Sequence, residues 1–354
     1  MHMPAKLAPK AQDKLTSLIK DVKGRNYKYV PREGKPIDWF SYDLAQINEI
    51  TDYLILVREI IDEIRKEMGD IDQGRVGRPP ASCFDCAKAV MVQQYFECSN
   101  RVAAGLMRLF KKNLNLGKDL TYKDIETAYE NEYVVLVLKL LFEKTNEPVQ
   151  GKEIDFTGDG TGSPTSIKQN YENDKGDSKK MKLYDRMIFI MGTKYKLLSA
   201  VEVVEGTSNE KGHIVPLLEE THSLHPNIRS VSYDGAAYTF EIMDYITHTL
   251  HAKPYILPPV DAVLKSYGCM AKKKMLLEFL YTTQQWLREY HRRSLSESRN
   301  SEDKRTFPRP LLKKLDNRRH VEGYAEACRY NVRKLVYNYY LNNLPVRWLE
   351  NRAF

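Results

Sequence analysis

No apolar run in these 354 residues approaches the ~20 needed to cross a bilayer, and no apolar segment follows the N-terminal Met-His-Met-Pro-Ala-Lys. The expectation is a soluble, cytoplasmic chain with no membrane partner. Cysteine is scarce. Five thiols in a chain of this length make no disulfide scaffold and read as reduced intracellular residues. Glycine (18) and proline (16) are too few for a collagen-like or low-complexity protein, and 42% hydrophobic residues are too many for wholesale disorder. Internal repeats are absent. What is there is a globular composition, long enough for two domains at ~100–200 residues each.

The formal net charge of +8 is unevenly placed. From Asp261 to Phe354 there are 20 Lys+Arg against 10 Asp+Glu, while the preceding 260 residues hold 35 against 37. All of the surplus therefore lies in the last quarter, the electrostatic footprint of a polyanion partner such as nucleic acid. A solvated basic helix surface gives the same count, so charge alone leaves both readings open.

Residues 1–35, rich in Lys, Arg, Pro and Gly, read as a loosely structured arm. Apolar residues then recur near a 3.6 period over Leu44–Met68, and a breaker follows at Gly74-Arg75-Val76-Gly77-Arg78-Pro79-Pro80. Ser82, with Asp85 three residues on, has the form of an N-cap. Helices are expected at Phe84–Phe96, Ala103–Phe110, Tyr122–Tyr129 and Tyr133–Phe142, an all-α beginning. Near Gly151 the pattern changes. Lys152–Asp159 alternates, placing Ile154, Phe156 and Gly158 on one face and Asp155, Thr157 and Asp159 on the other. A polar loop, Ser163–Lys182, leads to strands Leu183–Gly192 and Lys196–Val204, joined by Thr193-Lys194. A helix at Ile214–His222, a strand at Ile228–Tyr233, a helix at Tyr238–His251 and a strand at Pro254–Leu257 follow, then helix over Leu264–Asp303 and His320–Leu341. Three strands followed by αβαβα is a ribonuclease H-like order: an α/β mixed sheet with flanking helices, preceded by an all-α region. The division is 1–148 and 149–354.

Two aspartates stand where strands of such a sheet end. Asp159 closes the first within Asp-Gly-Thr-Gly, and Asp234 closes the fourth within Tyr-Asp-Gly-Ala-Ala-Tyr. A carboxylate there is held rigidly yet accessible, as a hard cation requires. Each Asp-Gly by itself reads first as an ordinary turn, since this is among the commonest turn dipeptides. A third element joins them. Arg293, Glu297 and Lys304 follow Tyr290 at offsets of 3, 7 and 14, which on one helix fall at roughly 300°, 340° and 320° from it, a stripe about 21 Å long. A salt-bridge ladder would use i,i+4 pairs, and only Arg293–Glu297 has that spacing. A carboxylate for a metal, with cations above and below it for phosphates, accounts for all four.

Tyr290-(2)-Arg293-(3)-Glu297-(6)-Lys304 resembles the Y-(2)-R-(3)-E-(6)-K signature of DDE-class insertion-sequence transposases, with both Asp motifs in order ahead of it. The resemblance covers about residues 75–345. It implies a ribonuclease H-like core in which Asp159, Asp234 and Glu297 are catalytic and hold Mg²⁺, with Mn²⁺ as a substitute. It also implies Tyr290, Arg293 and Lys304 on the phosphates of double-stranded DNA. The implied substrates are terminal inverted repeats and target DNA, cut and joined by a homodimer in a synaptic complex, associated with the nucleoid of a prokaryote. In this subgroup strand joining is associated with a hairpin intermediate, and the short Asp234–Glu297 spacing leaves no room for the inserted β-domain of some relatives. Residues 1–148 would recognise DNA ends and make dimer contacts. A transposase-derived DNA-binding protein without catalysis, or a nuclease on the same fold, remains open. Asp155-Phe-Thr-Gly also fits a D-x-T-G pattern, so Asp155 is the alternative first ligand; Asp159, nearer the strand end, is preferred.

Weaker signals read blandly. Cys83-x-x-Cys86 lacks a second ligand pair and reads as two half-buried helical thiols; His222-x-x-His225 and His248-x-x-His251 lack a framing carboxylate cluster and read as exposed or capping histidines. Gly77-Arg78-Pro79 by itself is a common linker sequence, though its position before the helical region suits a backbone-tracking arm. Tyr330, Tyr337, Tyr339 and Tyr340 read as core and rim aromatics, with Arg329, Arg333 and Lys334 available to phosphates.

Overall fold

In the computed structural model, residues 9–31, 34, 36–69, 81–172, 178–264 and 269–350 are described. The Gly77-Arg78-Pro79 stretch lies outside them. Within the arm, Pro9–Lys23 forms α1, and its Leu15 and Ile19 are fully buried. The expected loose arm is thus corrected: Leu15, Leu18, Ile19 and Val22 recur at helical spacing among the lysines and pack into the core.

The apolar period over Leu44–Met68 belongs to α2, Trp39–Met68, capped by Asp38 through the Ser41 amide. Then come α3 (Cys83–Phe96), α4 (Asn100–Leu109), α5 (Tyr122–Ala128) and α6 (Glu132–Asn146). Ser82 makes no side-chain cap; Asp85 instead turns inward and accepts the Gly117 amide at 3.0 Å. The sheet comprises β1 (Asp155–Glu172), β2 (Ser178–Gly192), β3 (Leu198–Glu205), then, after α7 (Lys211–Leu224), β4 (Ser230–Tyr233). Next are α8 (Phe240–Asp244), continued by a π-helical turn at Tyr245–Thr249, and β5 (Lys253–Ile256). The remainder is helical: α9 (Met270–Tyr281), α10 (Thr283–Tyr290), a 3-10 turn at His291–Arg293, α11 (Ser294–Thr306), α12 (Asp316–Leu341) and α13 (Arg347–Glu350).

The strand order is β3-β2-β1-β4-β5, with β1, β2 and β3 antiparallel and β4 and β5 parallel to β1. One expectation fails here. Most of the stretch expected as a polar loop, Ser163–Lys182, is strand, because β1 and β2 continue as a hairpin ribbon as far as Glu172 and Ser178. Its sequence holds too few apolar residues for an alternation to be visible. Helices cover both faces. Phe189 and Met191 of β2 point into a core shared with α2, α3, α6 and α12, whereas Phe156, Ile188 and Val231 point into one shared with α1, α7, α9 and α10.

Candidate active site

The parallel ladder between β1 and β4 is short, ending at Thr157↔Ser232. Asp159 lies two residues beyond that last pair, and Asp234 lies likewise two residues beyond Ser232. Asp159 does not close β1, which runs on alongside β2; it stands where β1 parts from β4, so the crevice at the strand ends is preserved. Gly158 explains part of the local sequence. A Cβ there would meet the Tyr233 ring at 1.9 Å, so only glycine lets the ring lie across β1. Asp234 uses one oxygen as a cap, accepting the Ala236 amide at 2.8 Å.

The helix expected to carry the whole stripe is broken. Tyr290 ends α10, Arg293 closes the 3-10 turn and Glu297 lies in the first turn of α11. The tighter turn alters the straight-helix angles. Arg293 still donates to Glu297 at 2.6 Å. Tyr290 is buried and stacked on Trp286, with centroids 5.3 Å apart, so its ring is core and only its polar end takes part. Burial raises its hydroxyl pKa and Arg293 opposes that, while Asp234 and Glu297 act in the raising direction. Burial likewise pushes the Asp159 carboxyl above its ordinary value; the Gly160 amide and Arg293 pull it down, and Glu210 and Glu297 push it up. Of the expected residues, Arg293 and Glu297 are joined directly. Lys304, exposed, lines an adjoining cavity of about 320 Å³ with Thr161, Asn300 and Arg329.

Two participants were not singled out in the sequence. Asn300 donates to Asp159 Oδ2 at 3.1 Å, and its position three residues after Glu297 on one helix was a usable signal. Glu210 sits in a polar stretch with no periodic pattern, and only the fold brings it to Asp159.

Asp155 occupies a different environment. Its carboxylate is buried and accepts from Arg229, Arg292 and Ser230; burial opposes its ionisation, but these donors hold it below its ordinary value. Arg329, Arg333 and Lys334 are also spoken for. They are nearly buried and paired with Asp303, Glu49 and Glu302, so they are not available to phosphates. Cys83 and Cys86 are buried rather than half-buried, and burial drives the Cys86 thiol to about 12. His225 stands at the C-cap of α7, as expected of a capping histidine, but it is buried, 1% exposed.

Among the described residues, no group of three or more His, Cys, Asp or Glu side chains is arranged as a ready metal site. The donor chemistry nonetheless suits a hard cation. Asp159 is a half-buried carboxylate among like charges, with only the Gly160 amide and Asn300 as neutral donors.

No protein-family model matches the chain. It is similar to the "Probable transposase for insertion sequence element ISA1214" of Archaeoglobus fulgidus, 28% identical over 286 residues, covering 78% of this chain and 83% of that protein. Among solved structures, a pre-cleavage Mos1 transpososome aligns at 11% identity and TM-score 0.22, covering 83% of this chain and 97% of that one. The mariner Mos1 paired end complex with Mg aligns at 12% and 0.21, covering 76% and 83%.

Proposed function

We propose that this chain is an insertion-sequence DNA transposase of the DDE class, with a ribonuclease H-like core in residues 149–354. The observation that supports the reading is that Asp159 and Asp234 stand at equivalent places beyond the end of the β1–β4 ladder, with α11 bonded to Arg293 through Glu297 and to Asp159 through Asn300. The similarity along 78% of the chain to a protein named as a transposase supports it, and so does the 3-2-1-4-5 strand order.

Asp159, Asp234 and Glu297 would hold divalent metal, Mg²⁺ or Mn²⁺. Bound there, the metal supplies Lewis acidity to a phosphodiester and lowers the pKa of an attacking water or 3′-hydroxyl. The chain's own groups do the rest. Asn300 and the Gly160 amide each bond one oxygen of the Asp159 carboxylate and would fix its orientation. Arg293 neutralises Glu297 and is the group best placed to exchange that partner for a phosphate oxygen, which its planar fork binds in two-point fashion. Tyr290, fixed by its stack on Trp286, acts on DNA through Arg293. Lys304 provides a point charge further along the strand. Asp155, already held by two arginines and a serine, is the structural member of its pair with Asp159.

Residues 1–148 are proposed to recognise the DNA ends and to supply a dimer contact. Trp39, Phe40 and Ile47 of α2 are exposed there and offer apolar surface for a second copy. No described helix is long and apolar enough to cross a membrane, and we place the protein in the cytoplasm with the nucleoid. A labelled inverted-repeat end incubated with and without Mg²⁺ tests the reading. Expected are Mg²⁺-dependent nicking and joining, both abolished in Glu297→Gln and Asp234→Asn. Full cleavage by either variant sinks the site, binding without nicking leaves only a DNA-binding protein, and nicking without joining makes it a nuclease.

A further inference from the structure

Main-chain pairing between β1 and β4 stops at Thr157↔Ser232, so ladder hydrogen bonds do not fix how Asp159 and Asp234 are spaced beyond it. Side chains span the gap. The Tyr233 ring fills the space above Gly158, where a Cβ would clash at 1.9 Å, and its hydroxyl donates to Glu210 Oε1 at 2.8 Å. Glu210 Oε2 lies against Gly160, 3.0 Å from where a Cβ would stand, with Arg186 Nη1 at 3.9 Å. Glu210 therefore touches the residue after Asp159 directly and bonds the residue before Asp234. Its side chain is 19% exposed, on the last residue before α7.

We propose that Glu210 is a positioning residue: with Tyr233 it forms a brace across β1 and β4 that sets the separation of the two aspartates. The proposal rests on the reading of Asp159 and Asp234 as the reactive pair. It accounts for glycine on both sides of Asp159: Gly158 admits the ring and Gly160 admits the carboxylate. It also accounts for the tyrosine before Asp234, whose hydroxyl is needed as well as its ring.

The test compares wild type with Glu210→Ala, Glu210→Gln, Tyr233→Phe and the Glu210→Ala/Tyr233→Phe double variant, all as the full chain and matched for folded content by circular dichroism. A misplacement of about an ångström costs up to about a hundredfold in rate, so a loss of about tenfold or more in single-turnover cleavage is expected for Glu210→Ala and for Tyr233→Phe. The Mg²⁺ concentration for half-maximal cleavage should rise, with DNA affinity unchanged. Glu210→Gln keeps the acceptor and should restore most of the loss, and the double variant should be no worse than the worse single. Additive losses, an unaltered Mg²⁺ requirement, or a glutamine variant as poor as alanine would overturn the brace. If wild type binds ends without cutting them, the functional reading falls by itself, and Mn²⁺ affinity by electron paramagnetic resonance then decides the inference. Weakened Mn²⁺ binding in Glu210→Ala and in Tyr233→Phe supports it and binding equal to wild type refutes it. No Mn²⁺ binding to wild type refutes both.

Discussion

A histidine sealed in an apolar core has to stay neutral, and His225 is such a residue. It is 1% exposed, packs on the Phe156 ring at 5.1 Å and has Nε2 at 3.3 Å from Asn146 Oδ1, while its Nδ1 has no partner among the described residues. Burial drives its pKa down to about 4, below the 6.5 of an exposed imidazole. The folded state thus binds this proton less readily than the unfolded chain does. The stability involved is complete above pH 6.5 and is lost as pH falls toward 4, amounting to on the order of 3 kcal/mol by then. Comparing the pH dependence of the melting temperature of wild type and His225→Gln isolates it: the variant should lose less stability between pH 6.5 and 4, and parallel curves would contradict the assignment. The sequence placed this histidine at a helix end, as it is, but burial came from a strand and a helix end distant in sequence, and a local window holds no trace of those. Asp155 and Asp159 show the same limit. Their alternation on β1 was legible, but Arg229 and Arg292, which occupy Asp155, are set beside it by β4 and the 3-10 turn.

At the scale of the element, α11 is unusual in having little apolar surface to bury. It is docked by charge. The Arg299 guanidinium, 3% exposed, lies between the Phe189 ring of β2 at 4.8 Å and the Tyr330 ring of α12 at 4.6 Å. Beside it Asp303 bonds Arg329 at 2.9 Å and Glu302 bonds Lys334 at 2.7 Å. Desolvated cation–π contacts reach about 2 kcal/mol or more, so Arg299→Ala is expected to destabilise the chain by at least that order. Amide exchange across Ser294–Thr306 should accelerate more than exchange in α2 or α12. Unchanged exchange in α11 would show that the helix bearing Glu297 is held by something else. The spacing of Tyr290, Arg293, Glu297 and Lys304 was legible because residue offsets survive a local change of helix type. The 3-10 turn was not, since three residues, His291-Arg292-Arg293, carry no pattern that separates it from α-helix. The α/β order of the second part was legible for a related reason: each apolar strand and amphipathic helix must bury its own face, and that requirement is written locally.

Across the whole molecule the basic surplus is not all on the surface. Of the cations after Asp261, Arg299, Arg319, Arg329, Arg333 and Lys334 are at least nine-tenths buried and face Asp303, Asp185, Glu49 and Glu302, so they hold α11 and α12 in place. Lys304, Arg305, Arg309 and Lys314 are exposed, and three of them line the cavities beside Asn300 and Glu322. The surplus is therefore part internal scaffold and part solvent-facing surface, a division that composition cannot express because it counts charges without their partners. The proposed cation site, shared by Asp159, Asp234 and Glu297, adjoins that surface. Its most direct test is an anomalous difference map from crystals of the full chain soaked in Mn²⁺. Density against Asp159, Asp234 and Glu297, with Arg293 released from Glu297, is the expected result; Mn²⁺ bound at Asp155, bound away from all three carboxylates, or absent at concentrations that support cleavage would contradict it.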